Sequence, residues 1–167
     1  EIIAIDSIDK LGLLAATPRS VYAAIPSEQK RSSRVFSKIL DIGREAPISA
    51  IGTDADSLWV GQTNGTLSRH LLQADNTFAK VCAFEAENKS RSPVSQIVRN
   101  ISTNSAQLAV WFDGVISEFE GCERRASSTY SPNRFIHPTM LGILYSSPLE
   151  NHLAFTLKGV YTSDKLL

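Results

Sequence analysis

Cysteine is scarce in this sequence: Cys82 and Cys122 are the only two among 167 residues. Their spacing matches no metal-ligand motif, and a small secreted scaffold stapled by disulfides would carry more. A reduced, intracellular setting, cytoplasm or nucleus, is therefore the expectation, with Cys82 a packed thiol on an apolar strand. Cys122, flanked by Glu120 and Glu123, is expected to be a thiol whose reactivity the neighbouring carboxylates blunt. Long apolar runs are missing too. Hydrophobic residues make up 43% of the chain, but they fall in short runs far below the ~18 needed to cross a bilayer, so no membrane span is predicted. Nor is there an excess of charge of either sign, since seventeen basic residues balance seventeen acidic ones. With no net field to attract a polyanion, nucleic acid is not an expected partner.

Catalytic and ligand-binding motifs are equally sparse. Serines abound, but no G-x-S-x-G elbow and no glycine-rich phosphate loop occurs. His70, His137 and His152 never fall at a metal-binding spacing. The acidic run Thr53-Asp54-Ala55-Asp56-Ser57 lacks the glycine and distal glutamate of a calcium loop and is read as a solvated turn. No catalytic residue, metal site or cofactor is predicted, and the chain is not expected to be an enzyme. Three triplets of the N-glycosylation type occur, at Asn64, Asn88 and Asn100, which matter only in a secretory lumen. The chain opens at Glu1 with no recognisable targeting segment and is expected to be a piece of something larger.

What the sequence does contain is repetition. Pro47, Pro93 and Pro138 each precede an apolar run, and Ile2 to Ile5 stands where an earlier copy belongs. The turn positions Ser20, Gly65, Gly114 and Gly159 keep step with them. Each unit reads as strand, polar turn, strand, tight turn, strand. The second is the clearest, with Pro47 to Ile51, then Leu58-Trp59-Val60, then Asn64-Gly65 and Leu67 onward. Asn-Gly suits a two-residue hairpin because both central residues of that turn have φ > 0. A fourth strand fits at Val35 to Ile42 in the first unit, at Phe78 to Phe84 in the second and, poorly, at Arg124 to Tyr130 in the third. The last unit ends just after its third strand. Only Ser27 to Arg44 leaves room for a helix, because β-branched and aromatic residues crowd the other apolar runs. Trp59, Trp111 and Phe155 are read as near-equivalent second-strand positions that pack between units.

Four strands in about 45 residues is the signature of propeller blades. The stretch Ser57-Leu58-Trp59-Val60-Gly61-Gln62-Thr63-Asn64-Gly65-Thr66-Leu67 resembles a divergent β-propeller repeat of the WD40-like, citron-homology-like or regulator-propeller type. The Trp-Asp and Gly-His pairs of standard WD40 repeats are absent. The resemblance implies an all-β fold of four-stranded antiparallel blades and a platform role. The units run over about 1–45, 46–91, 92–136 and 137–167, or about three and a half blades of an incomplete ring; a closed four-bladed ring is the alternative. The implied function is a non-enzymatic protein–protein interaction scaffold within a larger propeller or multi-subunit assembly, its partners other chains, including one that completes the ring. An extracytoplasmic ligand-sensing propeller is the alternative function, and an enzyme with a central-channel site a third. Lys30, Arg31 and Arg34 in one basic cluster, and Arg124 and Arg125 in another, are the candidate partner-binding residues.

Overall fold

The computed structural model describes residues 1–26, 34–85, 91–99, 107–129, 140–146, 151–156, 159–162 and 165–166, and side chains within these stretches as far as Ser127, apart from Pro26, Arg34 and Arg99. The described strands form four antiparallel sheets of four, each in simple sequential order. The first blade contains β1 (Ala4–Ile8), β2 (Gly12–Ala16), β3 (Ser20–Pro26) and β4 (Arg34–Asp41). The second contains β5 (Ile48–Asp54), β6 (Ser57–Gln62), β7 (Leu67–Leu72) and β8 (Phe78–Phe84), and the third β9 (Val94–Arg99), β10 (Gln107–Trp111), β11 (Val115–Glu120) and β12 (Glu123–Thr129). The fourth contains β13 (Met140–Ser146), β14 (Asn151–Thr156), β15 (Gly159–Thr162) and β16 (Lys165–Leu166). β4 takes up most of the described part of the segment that left room for a helix, and residues 42–44 continue into a turn. The two-residue β16, paired through Tyr161↔Leu166 and Thr162↔Lys165, gives the last blade the fourth strand that its sequence did not announce.

Local turn chemistry closes the hairpins. At the β6–β7 turn the Gly65 N–H donates to Gln62 O at 3.1 Å and Gln62 N–H to Thr66 O at 2.9 Å. Gly65 has φ 85 and Asn64 is not among the positive-φ residues. The loop is thus a three-residue turn with one left-handed position, not the two-residue turn that Asn-Gly suggested. The same device closes β10–β11, where Gly114 has φ 88 and its N–H reaches Trp111 O at 3.0 Å. In β7–β8 the left-handed residue is Asn76, φ 63. An Asx oxygen braces each loop from the position before: Asn64 Oδ1 accepts from Thr66 N, Asp75 Oδ1 from Thr77 N and Asp113 Oδ1 from Val115 N, at 3.1, 3.0 and 3.4 Å. The pairing of third with fourth strand slips once in each of the first three blades, at Val21/Tyr22, Arg69/His70 and Glu118/Phe119. Such bulges sharpen the twist of the outer strand.

Blades meet face to face, with the first strands β1, β5, β9 and β13 neighbours in succession. Between the first and second blades the core is mainly aliphatic, built from Leu14, Val21 and Ile39 on one side and Ile51, Leu58 and Val60 on the other, with Phe78 its one buried aromatic among the described residues. Between the second and third it is aromatic and tighter, with Trp59, Trp111 and Phe119 fully buried. The tryptophans are not equivalent. Measured from the turn bonds that Gly65 and Gly114 make, Trp111 corresponds to Gln62 and lies three positions beyond the counterpart of Trp59. Because three is an odd step on a strand of period two, they point in opposite directions, and they fill one interface from its two sides.

Close approach at this interface depends on glycine. A Cβ on Gly61 would lie 2.5 Å from Val94 Cβ, and one on Gly52 would lie 2.8 Å from Ile97 Cβ. Both obstacles sit next to backbone and cannot swing aside. Gly61→Ala is therefore expected to cost roughly 1–3 kcal/mol of stability through overpacking, read as a lower denaturant midpoint with an unchanged slope. An unchanged midpoint contradicts the packing described.

Candidate protein-interaction surface

The pairing registers identify one isoleucine per blade in the same place. Ile5 pairs with Ala15, Ile51 with Val60, Ile97 with Ala109 and Ile143 with Ala154. Ile51 and Ile97 are buried, at 7% and 6% exposure, each facing the blade before it, whereas Ile5 is 62% exposed. Leu13 is exposed at 41% where its counterpart Leu58 is at 0%. Ile3, Leu13 and Phe36 share the Ile5 face, because cross-strand partners and alternate residues lie on one side of a sheet. The first blade therefore presents an apolar face built like those buried elsewhere between blades. The regular spacing of Ile5, Ile51, Ile97 and Ile143 was the sequence signal for it, masked by the more conspicuous prolines and glycines.

The candidate cations separate. Lys30 and Arg31 lie outside the described residues, and Arg34 is in β4 opposite Pro26. Arg124 belongs to the seam between the second and third blades. Its guanidinium lies 5.4 Å from the Phe119 ring and 6.0 Å from that of Phe84, and it donates to Glu85 O. Arg125 is exposed and bridges Glu120 at 3.0 Å and Glu123 at 2.8 Å. A further arginine that no motif in the sequence marks, Arg69, lies 5.8 Å from the Trp59 ring and donates to Ser57 Oγ at 3.1 and 2.7 Å. Trp59, Phe84 and Phe119 form one aromatic cluster, with centroid separations of 4.6 to 6.4 Å. Arg69 and Arg124 thus cap an aromatic seam, an arrangement that combines cation–π attraction with burial of the guanidinium stems.

The cysteines are neither a packed thiol nor a blunted one. Cys82 on β8 and Cys122 in the β11–β12 turn form a disulfide, with Cα atoms 6.0 Å apart. The two residues are 40 apart in sequence and on different blades, so the pairing arises only once the blades are packed. It removes the ground on which a reduced compartment was expected. Among the described residues no helix is long and apolar enough to cross a membrane.

His70 is buried, its Nε2 2.9 Å from Ser68 Oγ, itself buried. Both atoms are closed to a substrate, so the pair offers no nucleophile. Burial, and then the nearby Lys80 ammonium, hold the His70 pKa down at about 4 from its ordinary 6.5, with Glu45 opposing. Lys80 is itself paired with Glu45 at 2.5 Å. A histidine kept neutral in the fold but free to protonate when unfolded contributes stability that is fully present above pH 6.5 and lost as pH falls towards 4. Unfolding midpoints measured across this window should drop on acidification, and His70→Gln should flatten that part of the profile. An equally steep profile in the variant assigns the dependence elsewhere. In the acidic turn Asp56 is taken by Lys10 at 2.7 Å, and no cluster of three metal-ligating side chains occurs among the described residues.

No protein-family model matches the chain, and no curated protein matches it. Solved structures do. The crystal structure of the WD40 beta propeller domain of Doa1 superimposes with a TM-score of 0.69 at 8% identity, covering 100% of this chain and 53% of that one. A chain in the crystal structure of the Mitotic Checkpoint Complex gives 0.69 at 12% identity, covering 98% of this chain and 48% of that one. The chain thus spans about half the length of the structures it matches. Its fold is that of a WD40-like β-propeller, and its blades form an incomplete ring.

Proposed function

We propose that the chain is a non-enzymatic protein–protein interaction scaffold that works within a larger propeller or a multi-subunit assembly. The observation that carries this reading is the exposed Ile5 face. All four blades place an isoleucine in the same register; the second and third bury it against a neighbour and the first leaves it open. Contiguous apolar surface of this kind marks an interaction site. The blades would be organised over about 1–45, 46–91, 92–136 and 137–167. Specificity would lie in the loops and outer strands of the blades, with Lys30, Arg31, Arg34, Arg124 and Arg125 as the partner-binding anchors. Neutral overall charge supports protein rather than nucleic acid as the partner class. The reading holds in either a reducing or an oxidising compartment.

Sedimentation velocity of the 167-residue chain, beside an Ile5→Asp/Leu13→Ser variant, tests this. The expected result is concentration-dependent self-association of the native sequence, relieved in the variant. A native chain that stays monomeric over the micromolar range and binds no apolar dye overturns the reading.

A further inference from the structure

We infer that Asn64 is an N-glycosylation site and that the chain matures in an oxidising secretory lumen. Three observations of different kinds converge on this. First, Asn64-Gly65-Thr66 is an acceptor triplet, and it occupies the tip of the β6–β7 hairpin with Asn64 exposed. Second, the side chain is held by its oxygen alone: Oδ1 accepts from Thr66 N–H at 3.1 Å, and Nδ2 makes no hydrogen bond among the described residues. The two matching loops use Asp75 and Asp113 for the same bond. The fold therefore needs only an acceptor oxygen here, and the carboxamide nitrogen at position 64 is surplus to the turn. Third, the Cys82–Cys122 disulfide joins two blades, and structural disulfides persist in the compartments where glycans are transferred and are rare in the cytosol.

The site also tolerates a large substituent. The loop is anchored from below by Trp111 Nε1–H, which donates to Gly65 O at 2.9 Å, while Asn64 faces solvent. In the transfer, Asn64 Nδ2 attacks the anomeric carbon of a polyprenyl-pyrophosphate-linked oligosaccharide. An N–C bond forms as the C–O bond to pyrophosphate breaks, the bonding pair leaves with the lipid pyrophosphate, and the nitrogen gives up one proton; nothing is oxidised or reduced. The inference does not depend on the scaffold reading.

The chain isolated from its own cells is the material for the test. Treatment with a peptide N-glycosidase in heavy-oxygen water, then trypsin, releases the peptide Glu45–Arg69, which contains Asn64 and neither other triplet. The expected result is conversion of Asn64 to heavy-oxygen-labelled aspartate, with an increase in gel mobility. Thr66→Ala should abolish the conversion and Thr66→Ser retain it. Alkylation of the denatured, unreduced chain should find no thiol at Cys82 or Cys122. Intact Asn64 in most of the native peptide overturns the site, including the case in which glycan is found at Asn88 or Asn100 alone. Free thiols at both cysteines overturn the compartment.

Discussion

Trp111→Ala is expected to lower the unfolding free energy by about 3–5 kcal/mol, the range for truncating a large buried aromatic. The reasons lie in the geometry of one interface. Trp111 is fully buried in the core between the second and third blades, among Trp59, Val94 and Phe119. It also ties the blades together directly, because its indole N–H donates to Gly65 O in the neighbouring blade at 2.9 Å. Alanine leaves a cavity that cannot collapse, since Val94 already abuts Gly61 so closely that no Cβ fits there. Trp111→Phe separates the two contributions: it keeps most of the apolar volume and removes the hydrogen bond, for an expected cost of roughly 1–2 kcal/mol. Urea titrations followed by far-ultraviolet circular dichroism measure both. A Trp111→Ala cost below about 1 kcal/mol shows that the interface relaxes in a way this packing forbids.

Breaking the Cys82–Cys122 bond should have a comparable effect. A crosslink between residues 40 apart removes loop-closure entropy from the unfolded chain worth roughly 4 kcal/mol in the chain-entropy model. Native-state packing is also involved. The bond joins β8 to the β11–β12 turn, and from the start of β12 Arg124 reaches over Phe84 and Phe119 to Glu85 O. Losing the covalent tie loosens the turn that places this guanidinium. Reductant should therefore lower the midpoint of the native chain, while the Cys82→Ser/Cys122→Ser variant should start lower and ignore reductant. A native midpoint that reductant leaves unmoved means that the bond contributes nothing to stability.

Much of this fold was legible because propeller blades are built from neighbours in sequence. Apolar runs of period two, separated by Asn64-Gly65 and Asp113-Gly114, specify antiparallel hairpins through contacts a few residues apart. Phe78 to Phe84 is a strand in both sequence and structure, and the polar Arg124 to Tyr130 stretch largely coincides with β12. The exact turn geometry was not legible, since Asn-Gly is compatible with two- and three-residue loops and the partner strand decides between them. Arg69 gave no signal because its meaning comes from Trp59 and Ser57, which reach it across a register that sequence spacing does not reveal.

The contrast is sharpest for the cysteines and the tryptophans. As residues in a chain, Cys82 and Cys122 fit no motif, and Trp59 and Trp111 look like copies of one position. By itself the sequence determined the all-β class, the four repeated units and most of their strands, because those depend on local propensity and turn chemistry. Tertiary structure alone decided that the cysteines meet, that the tryptophans fill one interface from opposite sides, that Arg124 is a seam residue while Arg125 faces solvent, and that Ile5 lies bare where Ile51 and Ile97 are covered. All but the solvent-facing Arg125, which pairs within its own blade, are relations between blades, set by how one sheet face seats on the next, and such contacts link residues that no local pattern connects.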